Sequence, residues 1–152
     1  MTIALPLWLG PLILLLVSGA AFWKGGSEER LTAACLLMNV TATVVLRDPS
    51  WPHLQRAAFG ADLVQLAVLL WIALRSAKYW PLAAAGFHLL TVLTHIAKMI
   101  DPGLHQWAYI TAIVIWTYLL IAALGVGTWN TWRRRPHDVR TDAARPAVDT
   151  RR

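Results

Sequence analysis

The chain has 152 residues, of which 57% are hydrophobic and only 14% are charged, and its formal net charge is +6. This composition is too apolar for an ordinary soluble domain, and the length is too short for two domains with linkers. Nucleic-acid binding is not indicated, because seven of the fourteen Lys and Arg residues lie in the last twenty positions. We therefore expect one membrane domain over 1–132 and a basic tail over 133–152.

Five apolar segments predict five membrane-spanning helices. A transmembrane helix needs about 17–25 mostly apolar residues, and four of the segments reach that length. In chain order the expected spans are 3–23, 31–46, 57–74, 81–100 and 108–129. The second is marginal, at sixteen residues. The first is expected to be a retained helix rather than a signal peptide, because no Lys or Arg precedes it. The fold class is therefore all-α, a polytopic bundle of five transmembrane helices.

The basic residues also predict the orientation of the bundle. With five spans, eleven of the fourteen basic residues lie on the same side as the C-terminus and three lie on the other side. Because positively charged loops stay in the cytoplasm, we expect the N-terminus outside and the tail inside a bacterial-type inner membrane. Omitting the second span would remove this asymmetry. The tail after position 133 has almost no apolar residues and is expected to be disordered.

Polar residues within three of the expected spans fall on single helical faces. An ionisable group in hydrocarbon costs at least about 2.5–3.5 kcal/mol, so these faces are expected to turn toward a partner or a hydrated cavity. The residues are Asn39 and Thr43 in the second span, Asp62 and Gln65 in the third, and His88, Thr91, His95 and Lys98 in the fourth. They predict a polar seam inside the bundle.

Counting residues from the span ends gives the depth of each group. Asp62 and His95 each lie five residues inside the outer end of their span, so we expect them to be partners. Lys98 lies one turn further out, near enough to pair with Asp62 or to reach the interface. His88 lies about 10.5 Å deeper than His95. We expect it to bond a backbone carbonyl or Thr91, and to have no ionisable neighbour.

The candidate ligand- or ion-binding residues are therefore Asp62, Gln65, His95, Lys98, Asn39 and Thr91. A metal site is an alternative, because imidazole and carboxylate groups suit zinc or copper. Its candidate ligands are His53, His95, His105, Asp62 and Asp101, which form no short-range ligand motif. Haem ligation by His88 is a further alternative, with a second ligand from a homodimer or from Met38. No cofactor is assigned from the sequence.

The sequence predicts no particular reaction. It contains no nucleophile elbow, phosphate loop, His-Glu-x-x-His helix or dinucleotide fingerprint. One hypothesis is a small membrane protein whose polar seam opens to the periplasm and binds or transports a proton, cation or small polar ligand. The other is a non-catalytic assembly or accessory subunit of a larger membrane complex. Five short helices make a thin bundle, so we expect a homo-oligomer or a membrane-protein partner within the lipid bilayer.

Overall fold

The computed structural model describes the backbone of residues 9–45 and 52–143, and the side-chain surroundings of residues 9–44 and 59–134. Within these ranges the chain is helical, without strands. The helices are α1 Leu9–Lys24, α2 Ser27–Val45, α3 Pro52–Arg75, α4 Trp80–Ile100 and α5 Gln106–Ala143. The prediction of an all-α fold with five helices is confirmed.

The link between α1 and α2 is short because glycine allows an unusually close approach. The Gly25 amide donates to the Ala21 carbonyl at 2.9 Å, which is the last hydrogen bond at the C-terminal end of α1. A Cβ atom on Gly25 would collide with that carbonyl and with the Cβ of Glu29. The first turn of α2 contains Glu28 and Glu29, which interact favourably with the positive end of the helix dipole. The turn therefore directs two carboxylates into one end of the bundle.

The five helices form a closed bundle around an apolar centre. Each helix contacts the next one in the chain, and α5 also contacts α1 and α2. The core includes Leu14 from α1, Leu36 from α2, Leu69 from α3, and Leu120 and Leu124 from α5. Leu36 lies between Glu29 and Asn39 along α2. Leu69 lies between Gln65 and Arg75 along α3. This core therefore separates the polar groups on its two sides.

Within the described part of the chain, two helices are long and apolar enough to cross a membrane. These are α4 and the portion of α5 from Gln106 to Arg134. The described part of α1 is apolar but shorter, and residues 3–8 of the expected first span lie outside the described residues. The helices α2 and α3 do not meet the same criterion of length and apolar composition, since both carry several polar or charged residues. Two apolar helices indicate association with a membrane.

The ends of three helices differ from those expected. α2 begins at Ser27 rather than at position 31, and α3 begins at Pro52 rather than at position 57. α5 continues to Ala143, so residues 133–143 of the expected disordered tail are helical, and 144–152 lie outside the described residues. The expected ends were placed where the apolar residues stop, but Arg and Ala are good helix formers without an apolar face. A helix also continues through Pro136 at the loss of one backbone hydrogen bond.

Candidate functional site

The polar faces of α2, α3 and α4 meet around the carboxylate of Asp62, which is buried. Asn39 Nδ2 donates to Asp62 Oδ1 at 2.7 Å and to Gln65 Oε1 at 2.6 Å. His95 Nε2 lies 3.1 Å from Asp62 Oδ2. The two carboxylate oxygens therefore have partners on different helices. The contact between Asp62 and His95, which was expected from their equal depth, is present.

His95 connects this carboxylate to α5. Its Nδ1 atom lies 2.8 Å from the hydroxyl of Tyr109, and the two rings meet edge to face. When the imidazole is neutral with its proton on Nε2, Nδ1 accepts the Tyr109 hydroxyl; a protonated imidazole donates instead. The His95 side chain is 22% exposed, against 11% for Asp62. His95 is therefore the more accessible member of the pair.

His88 lies on the other side of the same carboxylate. Its Nε2 atom donates to the backbone carbonyl of Asp62 at 3.0 Å, which agrees with the expected bond to a backbone carbonyl. It also lies 3.8 Å from Asp62 Oδ1, so the expectation that His88 has no ionisable neighbour is wrong. Counting residues along each helix ignores both helix tilt and the reach of the side chains. Thr91 is also buried and donates to the Phe87 carbonyl of its own helix.

Lys98 does not join this cluster. Its Nζ atom donates to the carbonyls of Pro102 at 2.9 Å and of Leu104 at 2.6 Å. The expected pairing of Lys98 with Asp62 is therefore replaced by bonds to the loop between α4 and α5. This loop folds back over the end of α4, where the helix dipole also favours a cation. The conformation of this loop cannot be predicted from the spacing of residues along α4.

The residues with described side chains do not assemble a metal site. No three His, Cys, Asp or Glu side chains among them are arranged to hold an ion. Asp101 accepts the Gly103 amide within its own loop, and His105 is exposed. The side chain of His53 lies outside the described part of the chain, so its role as a candidate ligand stays a prediction.

The intramolecular pair of haem ligands, His88 and Met38, that the sequence left as an alternative is not formed. Met38 is 72% exposed on the surface of the bundle, and the Nε2 atom of His88 is bonded to a carbonyl. A thioether that points away from the helix bundle cannot reach the opposite axial position to His88 in the same chain. The homodimer alternative for His88 stays a prediction.

A second cluster of charged residues lies at the opposite end of the bundle, and sequence reasoning missed it. Glu29 is completely buried. Its Oε1 atom accepts hydrogen bonds from Lys78 Nζ at 2.9 Å and from Thr131 Oγ1 at 2.7 Å, and its Oε2 accepts the Gly26 amide at 2.9 Å. Glu28 lies 3.1 Å from the same ammonium group. No spacing in the sequence brings Lys78 and Thr131 to Glu29, because both are distant from it along the chain.

The Glu29 cluster is a fixed ion pair. Burial acts to raise the pKa of Glu29, but hydrogen bonds from Thr131 and Lys78 outweigh it and hold the pKa below its ordinary value. Burial acts to lower the pKa of Lys78, while hydrogen bonds and charge interactions with Glu29 and Glu28 raise it above its ordinary value. Both groups are therefore charged over a wide range around neutral pH.

The Asp62 cluster differs because its ion-pair partners are histidines, which carry a charge only when protonated. Among the described side chains, no Lys or Arg lies within 4.0 Å of Asp62, and its ion-pair partners are His88 and His95. An isolated buried carboxylate is costly, and a proton on either imidazole would compensate its charge. The Nε2 atom of Gln65 is buried without a hydrogen-bond partner in the described structure. The site thus has an unused donor beside a carboxylate whose charge compensation depends on protonation.

Comparison of the chain with protein-family models, with curated proteins and with solved structures finds no match. The function is therefore argued from the geometry and electrostatics of these two clusters.

Proposed function

We propose that the chain is a multi-pass protein of a bacterial inner membrane, and that its Asp62–His95 pair binds and releases a proton or small cation from the outer side. The observation that carries this proposal is a buried carboxylate whose ion-pair partners are histidines. Histidine is the side chain whose unperturbed charge changes between about pH 5 and 8. A Lys or Arg partner would instead have held the carboxylate in one charge state.

The placement in a membrane is supported by the surface of the bundle. Large apolar side chains are exposed along several helices, including Leu16 on α1, Leu74 on α3 and Met99 on α4. Exposure of so many large apolar side chains is unfavourable in water, and such side chains are normally covered by a partner or by lipid. The basic residues are divided eleven to three between the two expected sides, which supports a cytoplasmic location for the Glu29 end.

Access to Asp62 from the outer side is supported by the order in which polar and apolar side chains follow one another into the bundle. Tyr109, His95 and Asp62 form a continuous line of hydrogen-bonding atoms, in which Tyr109 and His95 are partly exposed and Asp62 is buried. Deeper in the bundle, Leu36 and Leu69 belong to the packed core. An ion that enters beside His95 would therefore meet apolar side chains below Asp62. This arrangement favours a binding site, or a carrier that changes shape, over an open channel.

The experiment is a count of protons bound by the purified full-length protein in mild detergent between pH 8 and 5. We expect Asp62→Asn to take up about one proton fewer than the wild type, because the imidazolium loses its buried counter-charge. The matched control is Glu28→Gln, which removes a carboxylate at the other end of the bundle. Repeating the titration with added Na⁺ or K⁺ tests the cation form of the proposal, since a bound cation would displace the proton.

Equal proton uptake by Asp62→Asn and the wild type would contradict the proposal. Equal reductions of proton uptake in Asp62→Asn and Glu28→Gln would also contradict the proposal, because removing any carboxylate would then have the same effect. Circular dichroism and elution volume establish that the variants are folded.

A second candidate function is a non-catalytic subunit of a larger membrane complex. Ala83 and Gly86 are exposed on one side of α4, and a Cβ atom on Gly86 would meet nothing within 4 Å. Small residues let another helix approach closely within a membrane. Purification in mild detergent followed by mass analysis separates the candidates. A co-purifying membrane protein supports the subunit, whereas a homogeneous oligomer with Asp62-dependent proton uptake supports the binding site.

A further inference from the structure

A groove lies between α1 and α5 at the end of the bundle that contains the Glu29 cluster. Its volume is about 420 Å³, within the range of about 300–1,000 Å³ typical of ligand pockets. Most of its walls are apolar, with Leu16, Val17 and Ala20 on α1 and Gly125, Trp129 and Trp132 on α5. From Leu16 to Lys24 it extends about 12 Å along α1 at the helical rise. It is therefore a long apolar slot on the surface of the bundle.

One basic side chain, Lys24, lines this groove, and a second, Arg133, lies over one of the tryptophan rings that line it. Lys24 Nζ lies 3.9 Å from the centroid of the Trp132 ring, and the Arg133 guanidinium lies 4.9 Å from that of Trp129. Both rings also line the groove. Neither cation has a carboxylate within 4.0 Å among the described side chains, in contrast to Lys78, which has two. The slot thus ends in positive charge that the described residues do not neutralise.

We propose that this groove binds one anionic phospholipid, with an acyl chain between α1 and α5 and the phosphate beside Lys24 and Arg133. The apolar walls match a hydrocarbon chain, and the unpaired cations match a headgroup with net negative charge. Tryptophan rings at the boundary suit the level of lipid headgroups. The proposal rests on the membrane placement in the proposed function, with this end in the cytoplasmic leaflet, and is independent of Asp62.

The test is native mass spectrometry of the full chain, titrated separately with phosphatidylglycerol and with phosphatidylcholine. The charge variant is Lys24→Ala with Arg133→Ala, and the matched control is Arg75→Ala. Arg75 also lies over a tryptophan ring, but that ring, Trp71, is not part of the groove, whereas the ring beneath Arg133 is. Each basic residue near an anionic headgroup contributes roughly a factor of five in affinity. We therefore expect about a 30-fold loss of phosphatidylglycerol binding in the double variant and wild-type binding in Arg75→Ala.

A second variant, Ala20→Phe, fills the groove while keeping both charges. Ala20 is exposed, so the larger side chain does not enter the core. We expect it to reduce binding of both lipids, whereas millimolar inorganic phosphate should not displace phosphatidylglycerol from the wild type. Displacement by phosphate would indicate a simple anion site, and wild-type phosphatidylglycerol binding by the double variant would overturn the proposal. Equal wild-type affinity for the two lipids would also overturn it.

The same titration, together with sedimentation of the protein with lipid vesicles, separates this proposal from the proposed function. Asp62→Asn should bind phosphatidylglycerol like the wild type, because Asp62 lies at the other end of the bundle. If the wild type fails to sediment with vesicles of either lipid, the membrane placement is wrong and both proposals fail. If it sediments with both but retains neither selectively, the lipid site alone is wrong.

Discussion

Asp62 and Glu29 are two buried carboxylates of one chain with different kinds of partner. Glu29 is held by an ammonium group, a hydroxyl and a backbone amide. Asp62 is held by an amide group and two imidazoles. The first set contains an ammonium group, whose charge is fixed in the ordinary pH range, whereas the imidazoles of the second set are charged only when protonated. This difference between residues is why the proposed binding site is placed at Asp62 rather than at Glu29.

The contacts of Asp62 predict which substitutions are energetically coupled. In a double-mutant cycle of thermal unfolding in detergent, we expect Asp62→Asn and His95→Gln to show an interaction energy of about 0.5–3 kcal/mol. Asp62→Asn and Lys98→Met should be additive within about 0.5 kcal/mol, because Lys98 bonds loop carbonyls instead. A larger coupling for Lys98 than for His95 would contradict the described arrangement.

The sequence predicted those contacts of the site that depend only on the geometry of regular helices. Equal depth along two antiparallel helices was enough to pair Asp62 with His95. It was not enough for Lys98, because its partners belong to an irregular loop. Tyr109 was missed for a different reason: a tyrosine near the end of a span matches the ordinary pattern of interfacial aromatics. Nothing in that pattern indicates that its hydroxyl meets a histidine.

At the scale of helices, the hydrogen bonds of Glu29 connect α2 to two distant parts of the chain. One partner lies in the turn before α4 and the other on α5. Glu29→Ala leaves the amide of Gly26 and the hydroxyl of Thr131 without their acceptor, and each such loss costs about 1–3 kcal/mol when buried. The control Glu28→Ala removes a partly exposed carboxylate and should cost about 1 kcal/mol or less. Equal decreases in unfolding temperature for Glu29→Ala and Glu28→Ala would show that the buried hydrogen bonds of Glu29 do not stabilise the fold.

The same ion pair predicts the pH dependence of stability. Because the folded pKa of Glu29 is lowered, its contribution is complete above the unfolded value of about 4.3 and is lost as pH falls through the folded value. Because the folded pKa of Lys78 is raised, its contribution is complete below about 10.4 and is lost as pH rises through the folded value. The stability difference between wild type and Glu29→Gln should therefore be constant near neutrality and shrink below about pH 4.

The contact between α4 and α5 depends on one glycine. A Cβ atom on Gly127 would lie 2.5 Å from the ring of Trp80, which is buried. Gly127→Ala should therefore displace this ring and destabilise the fold by about 1–3 kcal/mol. In Gly86→Ala the new methyl group meets nothing, and better helix propensity should make the change neutral or slightly stabilising. An unfolding temperature that rises in both variants would mean that the packing against Trp80 is loose.

Helix number was predictable from the sequence, but helix ends were not. Apolar runs mark the parts of a helix that face a core or lipid, and five such runs correspond to five helices. The polar turns that begin α2 and α3 and extend α5 lie outside those runs. Contacts between sequence neighbours follow from short connections, whereas the contact between α1 and α5 that closes the bundle depends on packing across the whole chain.

The described part of the molecule has an ionisable cluster on each side of an apolar core, and the basic residues predict a defined orientation in the membrane. Reporter fusions after Lys24, Trp51, Lys78, Gly103 and Trp132 should alternate inside, outside, inside, outside and inside. The expectation follows from five crossings and from the concentration of basic residues on one side. A periplasmic reporter after Trp132 would contradict the orientation, and equal location of the reporters after Lys24 and Trp51 would show that α2 does not cross.

The most direct test of the central claim is proton uptake from each side of the membrane. Purified protein is reconstituted in one orientation, with impermeant pH dyes outside and inside the vesicles, and the outer pH is stepped between 8 and 5. We expect uptake from the outer side by the wild type and by His88→Gln, and its loss in His95→Gln, because His95 is the more accessible partner of Asp62. Uptake that survives in His95→Gln and disappears in His88→Gln would contradict the account and indicate a deeper site.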